Sequence, residues 1–247
     1  MKKFAGTLVM ICTFFLVQAQ ERTIYRVGRD GALVTFFSIA GDASSLGLDP
    51  SCLDVPKPDP RSITKDIDGY PFLVVGWGKG YVESKGQQLE CEGLNLMLYN
   101  QQLWLKSEGK VIALEPNENV QAVVIEGKRV VHCSLPGMED KPVWVEELTA
   151  GSNALLYKYH TATFTEPKAP VDSYDTKTNA RFTNKSSLYI HITGGAPMQL
   201  LPEKTAAFLA LFPENAEEMQ RFLSKNKINL KKEADVLRAI VHYNSLP

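Results

Sequence analysis

The stretch "LYIHITGGAPMQLLPEKTAAFLALFPENAEEMQRFL", residues 188–223, decides the fold, because the spacing of its apolar side chains changes at Leu201. From Arg22 to Leu201 apolar residues recur mainly at every second position, the strand period. Beyond it, Phe208, Leu211 and Phe212 fall at i, i+3, i+4, and Met219, Phe222 and Leu223 repeat the spacing. Leu237, Ile240 and Val241 do so a third time. That is the helical period. Pro213 ends the first of these helices, Asn215 and Glu218 are placed as a capping box for the second, and Asn229 is a cap for the third. Each apolar stripe is too narrow to hold a lone helix, so the tail must dock.

Upstream of Leu201 the turn signals are short and close. Phe72–Trp77 reads as a strand, followed by Tyr81–Ser84, Leu89–Tyr99, Leu103–Lys106 and Val111–Leu114. Val120–Ile125 and Lys128–Cys133 flank Glu126-Gly127, and Val143–Leu148 and Ala154–Thr163 flank Gly151-Ser152-Asn153. Leu188–Thr193 and Met198–Leu201 form a last hairpin about Gly194-Gly195, and Thr23–Val27 and Leu33–Ile39 a first one. No helix-length segment separates these strands, so the fold class is α+β: an antiparallel β-meander, sheet or open barrel, with a C-terminal helical tail. Residues 41–68, with four prolines, read as a surface loop, and 165–185 as a loop or linker.

Residues 1–19 have the pattern of a signal peptide: Lys2 and Lys3, then the ten-residue apolar run Leu8–Val17, then Val17-Gln18-Ala19 before a mature start at Gln20. A run of ten falls short of the ~20 apolar residues that cross a bilayer. The division is therefore a signal peptide at 1–19, a β-rich domain at 20–201 and a helical segment at 202–247 packed on it. Loss of Lys2 and Lys3 from 27 basic residues leaves 25 against 28 acidic ones, a balance that argues against nucleic acid as partner. The expected location is the periplasm or outside the cell, with outer-membrane association as an option and no transmembrane span.

Two further stretches carry a resemblance. "KGYVESKGQQLECEGLNLMLYNQQLWLKSEGKVIALEPNENVQAVV" runs from Lys79 to Val124, and "LLYKYH", residues 155–160, precedes the last hairpin and a tail ending "HYNSL". Together they resemble a family of uncharacterised exported proteins of Bacteroidetes-type bacteria, with a β-rich body and a helical C-terminus ending in YN, a small residue and Leu. The resemblance implies export and a structural role for Tyr243–Leu246, and it implies no catalytic residue.

The chemistry-bearing residues give no catalytic set. After cleavage the cysteines are Cys52, Cys91 and Cys133, an odd number without a CxxC pair. A Cys91–Cys133 bridge requires their strands to be neighbours. His132 beside Cys133 has the composition of a thiol nucleophile and its base, but adjacent strand residues point to opposite faces. His160 and His191 read as structural. Asp66-Ile67-Asp68-Gly69 starts like a calcium loop, yet Trp77 stands where the loop needs its glutamate, so the segment reads as a polar turn. Gly76-Trp77-Gly78-Lys79-Gly80 lacks P-loop spacing; its glycines suit a strand turning about Trp77. No catalytic residue, metal ligand or cofactor is assigned. The candidate binding residues are the aromatics Trp77, Trp104, Trp144, Tyr157 and Tyr159, which would form a platform for sugars or a partner strand, although half-buried strands favour such side chains in any case. The expected function is that of a non-enzymatic envelope protein binding a protein partner or ligand. The alternatives are a subunit of an outer-membrane assembly, pairing a sheet edge with a partner strand, or a hydrolase of envelope material.

Overall fold

A computed structural model describes residues 67–84, 87–107, 110–114, 120–151, 153–166, 179–195 and 197–246, together with two short strands nearer the start of the chain. The expected signal peptide, Cys52, Asp66 and nearly all of the expected proline-rich loop lie outside the described residues.

Ten strands form one antiparallel sheet: β3 (Gly78–Ser84), β4 (Gln87–Met97), β5 (Gln102–Ser107), β6 (Lys110–Leu114), β7 (Ala122–Ile125), β8 (Lys128–Cys133), β9 (Val143–Glu147), β10 (Ala154–Thr165), β11 (Arg181–Ile192) and β12 (Gln199–Leu200). The order is β12-β11-β10-β9-β8-β7-β3-β4-β5-β6, and β1 (Ile24–Val27) pairs separately with β2 (Leu33–Phe36). Three helices follow: α1 (Thr205–Leu209), α2 (Ala216–Lys225) and α3 (Glu233–Asn244). The chain is α+β as its periodicity predicts, with the sheet curled into a half-barrel. Glu126 (φ 50) and Gly127 (φ 78) both take the left-handed conformation, as the tightest twisted hairpin requires.

The curl comes from β10. Beyond Lys158 it parts from β9, and its free edge meets the β4–β5 turn instead. There Ala162 N–H donates to the Leu98 carbonyl (3.3 Å), and the Gln101 amide donates to the carbonyls of Leu98 (3.1 Å) and His160 (2.9 Å). A strap, residues 67–76, spans the remaining gap between β11 and β4. At one end Asp68 N–H donates to Ala180 O (2.9 Å) and Phe182 N–H to Asp68 O (2.8 Å); at the other Leu73 N–H donates to Leu96 O (2.9 Å). This corrects the strand expected at Phe72–Trp77: only Phe72 pairs there, in a single bridge with Met97, and the regular strand begins at Gly78.

The physical reason lies in Asn95. Its side chain is fully buried, accepts from the N–H groups of Val74 (3.2 Å) and Leu96 (2.9 Å), and donates to the carbonyls of Val74 (2.7 Å) and Gly76 (2.6 Å). The strap's backbone is thus satisfied by one amide and not by a ladder. Asn95→Ala is expected to cost about 1–3 kcal/mol, because buried backbone groups lose their partner; chemical denaturation of the variant checks this. No strand turns about Trp77, since the strand starts at Gly78; Trp77 lies over Gly93, where a Cβ would come within 2.8 Å of the Trp77 Cβ.

The loop expected at 165–185 is shorter than predicted. Arg181–Lys185 already belong to β11, paired with Thr161–Thr165. Their polar composition hides a strand whose register is set by the hairpin partner.

Two apolar clusters share the concave face. Phe72, Leu94, Leu96, Leu103, Leu105, Val123, Ile125, Val130 and Trp144 belong to the barrel core. Ala154, Leu156 and Ile190 lie under the tail, against Phe208, Phe212, Met219, Leu223, Val236, Ala239 and Ile240. A third cluster, with Leu135, Val143, Val145 and Tyr157, lies on the convex face. In α3 the buried stripe is Val236, Ala239 and Ile240, not Leu237, Ile240 and Val241; Val241 is 56% exposed and Leu237 half-buried. The helix is rotated by about one position from the expected one, so that the small Ala239 is fully buried in the cluster with Leu156 and Ile190. Asn215 occupies the N-cap position of α2 without a side-chain cap bond, so the expected capping box is not made. Asn229 precedes α3 by more than a cap's distance: it accepts from Lys231 N–H (3.0 Å), while its own N–H donates to Asp235 (3.0 Å). The terminal "YN" has a clear role. Tyr243 packs on Phe212 at 4.3 Å between ring centroids, and Asn244 pairs with both backbone groups of Ala154 at the start of β10 (2.7 and 2.8 Å).

Candidate functional site

Between the barrel core and the tail cluster, the concave face turns polar. Glu146 on β9 stands opposite Val130 of β8 and Lys158 of β10. Lys128 and His160, each two residues further along, therefore share its face. The three meet. Lys128 Nζ donates to Glu146 Oε1 (2.8 Å), and His160 Nε2 lies 2.7 Å from Glu146 Oε2. Both carboxylate oxygens are thus engaged in a side chain only 8% exposed. Burial alone would push the Glu146 carboxyl up; the hydrogen bonds and charges of His160 and Lys128 outweigh it and hold the group down at about 2. With Glu146 ionised at neutral pH, the bond requires the proton on His160 Nε2. Next to this cluster Lys158 Nζ pairs with Glu233 of α3 (2.7 Å), tying the first turn of that helix to the site.

The cluster opens on a cleft of about 210 Å³. Phe72 and Leu73 of the strap and Leu98 of the β4–β5 turn supply its apolar wall; Lys128, His160 and the β11 residues Asn184, Lys185 and Ser186 supply the polar one. Asn184 donates its amide to Tyr70 O (2.8 Å), which fixes the strap against β11 at the rim. A buried ion cluster adds little stability compared with apolar packing of the same volume. Its position between two well-packed apolar clusters, at the mouth of a cleft, is where a recognition site is expected.

The aromatic residues singled out in the sequence do not come together. Trp104 and Trp144 are buried in the barrel core, with Trp104 edge-on to Phe72 and Trp144 edge-on to His132. Trp77 packs against the same core from the side of Gly93. Tyr157 and Tyr159 belong to the convex cluster, on the other side of the sheet, where burial pushes the Tyr157 hydroxyl up to about 12. An aromatic surface does exist elsewhere: Tyr99 and Phe164 flank Phe182 at ring distances of 5.8 and 5.0 Å.

His132 faces Trp144 while Cys133 lies in the convex cluster near Met198 Sδ (3.9 Å), so the adjacent pair is split between faces. A Cys91–Cys133 bridge is excluded: both are free, and β7 and β3 separate their strands. Burial pushes the Cys133 thiol up to about 11; burial, then the charge of Glu90, pushes Cys91 up to about 12. Neither thiol is a nucleophile near neutrality. Iodoacetamide at pH 7.5 is expected to leave both unlabelled in the native protein and to label both in urea, read by peptide mass mapping.

Sequence reading missed Glu146, Lys128, Asn184 and Ser186. One signal was available: in Val143-Trp144-Val145-Glu146 a carboxylate ends a run apolar on both faces, the mark of a doubly buried strand. Among the described residues no group of three or more His, Cys, Asp and Glu converges as a metal set would, and no helix there is long and apolar enough to cross a membrane. No protein-family model, no curated protein and no solved structure matches this chain.

Proposed function

We propose that this is a non-enzymatic binding protein of the cell envelope, exported by the segment read in residues 1–19, that seats a ligand or a partner's side chain in the cleft beside Lys128, Glu146 and His160. The observation that carries the reading is the saturation of Glu146 by Lys128 and His160, which line a cleft with one apolar and one polar wall. A general acid or base must exchange a proton near the working pH. A carboxyl held at about 2 by two partners is poorly suited to that, whereas a fixed polar cluster beside apolar walls suits recognition. The resemblance to exported Bacteroidetes-type proteins supports the compartment.

One observation favours the hydrolase reading. Ser186 is the cross-strand partner of His160, so a serine, a histidine and a carboxylate follow one another across β11, β10 and β9. Native mass spectrometry of the protein purified from a periplasmic extract separates the two. A small molecule or peptide retained at one per chain, and lost in His160→Ala, supports binding. Turnover of an ester or cell-wall-fragment panel that is abolished by Ser186→Ala overturns it.

A further inference from the structure

We infer that the cleft takes a carboxylate carried on a small apolar group, with the carboxylate toward Lys128 and Ser186 and the apolar part against Phe72, Leu73 and Leu98. The inference rests on the reading of the cleft as a ligand seat and adds the class of ligand.

Size is the first argument. About 210 Å³ is below the roughly 300–1,000 Å³ of sites for drug-sized molecules, so the occupant has few heavy atoms or is a single residue of something larger. Charge is the second. Among the described residues no carboxylate lines the cleft, and Glu146, behind Lys128 and His160, has both oxygens engaged. Lys128 spends one of its three N–H groups on Glu146, is 39% exposed, and keeps the others for a ligand. The Ser186 hydroxyl, opposite His160 on the same face, adds a donor. An amine would meet Lys128, and a bare sugar would leave Phe72, Leu73 and Leu98 facing hydroxyls. Asn184 spends one N–H of its amide on Tyr70 O and keeps its second N–H and its carbonyl oxygen, which suits a ligand carboxylate with an N–H or O–H beside it. Two sources have this chemistry: a free short-chain organic acid, and the C-terminal residue of a peptide.

Isothermal titration of the chain from Gln20, at pH 7, distinguishes them. The probes are isovalerate, isovaleramide, inorganic phosphate, and acetyl-glycyl-leucine with a free or an amidated C-terminus. Isovalerate or the free-ended peptide is expected to bind at least about tenfold more tightly than its amide, the loss of one charge-assisted hydrogen bond. The tighter of the two names the source. Ser186→Ala, which does not touch Glu146, should weaken the acid severalfold with an unchanged melting temperature, whereas Lys185→Ala, on the other face of β11, should not. Equal binding of acid and amide, or phosphate binding as tightly as isovalerate, overturns the inference. If no probe binds while native mass spectrometry retains a different molecule, the carboxylate inference falls and the binding reading stands; if nothing is retained either, both fall.

Discussion

Deletion of residues 202–247 is expected to leave a chain that is insoluble or rapidly proteolysed, because the tail is the second half of a core. Its removal uncovers Ala154, Leu156 and Ile190 together with the half-buried Leu188 and Ile192, a contiguous apolar face on β10 and β11. Phe208 and Ile240 are fully buried, so each large-to-alanine change should cost about 2–5 kcal/mol. The whole domain holds only about 5–15 kcal/mol. Val241→Ala, at 56% exposure, should stay within about 0.5 kcal/mol. Urea denaturation of the three variants checks the ranking. A truncated chain that melts at the full-length temperature would make the tail a detachable docking element.

Glu146→Ala carries the second large effect. Removing one member of a buried ion cluster costs about 3–5 kcal/mol, and the lower end applies because Lys128, at 39% exposure, can turn toward water. His160, only 14% exposed, is left without its acceptor. Glu146→Gln should cost less, since one amide oxygen still accepts from Lys128. The pH dependence follows from the direction of the shift. A carboxyl whose folded value of about 2 lies below its ordinary 4.5 contributes stability that is fully present above 4.5 and disappears as pH falls through about 2. The difference corresponds to about 3 kcal/mol at 1.36 kcal/mol per unit. Denaturant midpoints from pH 6 to 2 should therefore fall more steeply for the parent than for Glu146→Ala.

Local rules were readable where the chain itself decides the structure. Glu126-Gly127 forms its hairpin because its backbone conformation is local, and the change of period at Leu201 marks the switch from sheet to helix because periodicity is a property of neighbouring residues. The strap was not readable. Phe72–Trp77 is an apolar, β-branched run like a buried strand, and only Asn95, about twenty residues downstream, withdraws its backbone from the ladder. The rotation of α3 was hidden for a related reason. Leu237, Ile240 and Val241 fit the helical period as well as Val236, Ala239 and Ile240 do, and the choice falls to the space available against β10. The site was the least accessible of all: Lys128, Glu146 and His160 lie on three strands, and the register that unites them is a property of the sheet.

The role of the cleft turns on the state of one carboxylate, and carbon-13 NMR of the Glu146 side chain, followed from pH 7 to pH 2 alongside the His160 ring nitrogens, tests it most directly. The predicted result is a carboxylate that stays ionised down to about pH 2, with a proton on His160 Nε2 facing it throughout. A Glu146 that titrates at or above the ordinary 4.5 would leave it free to exchange protons, and would contradict the reading of this cleft as a place that holds and does not react.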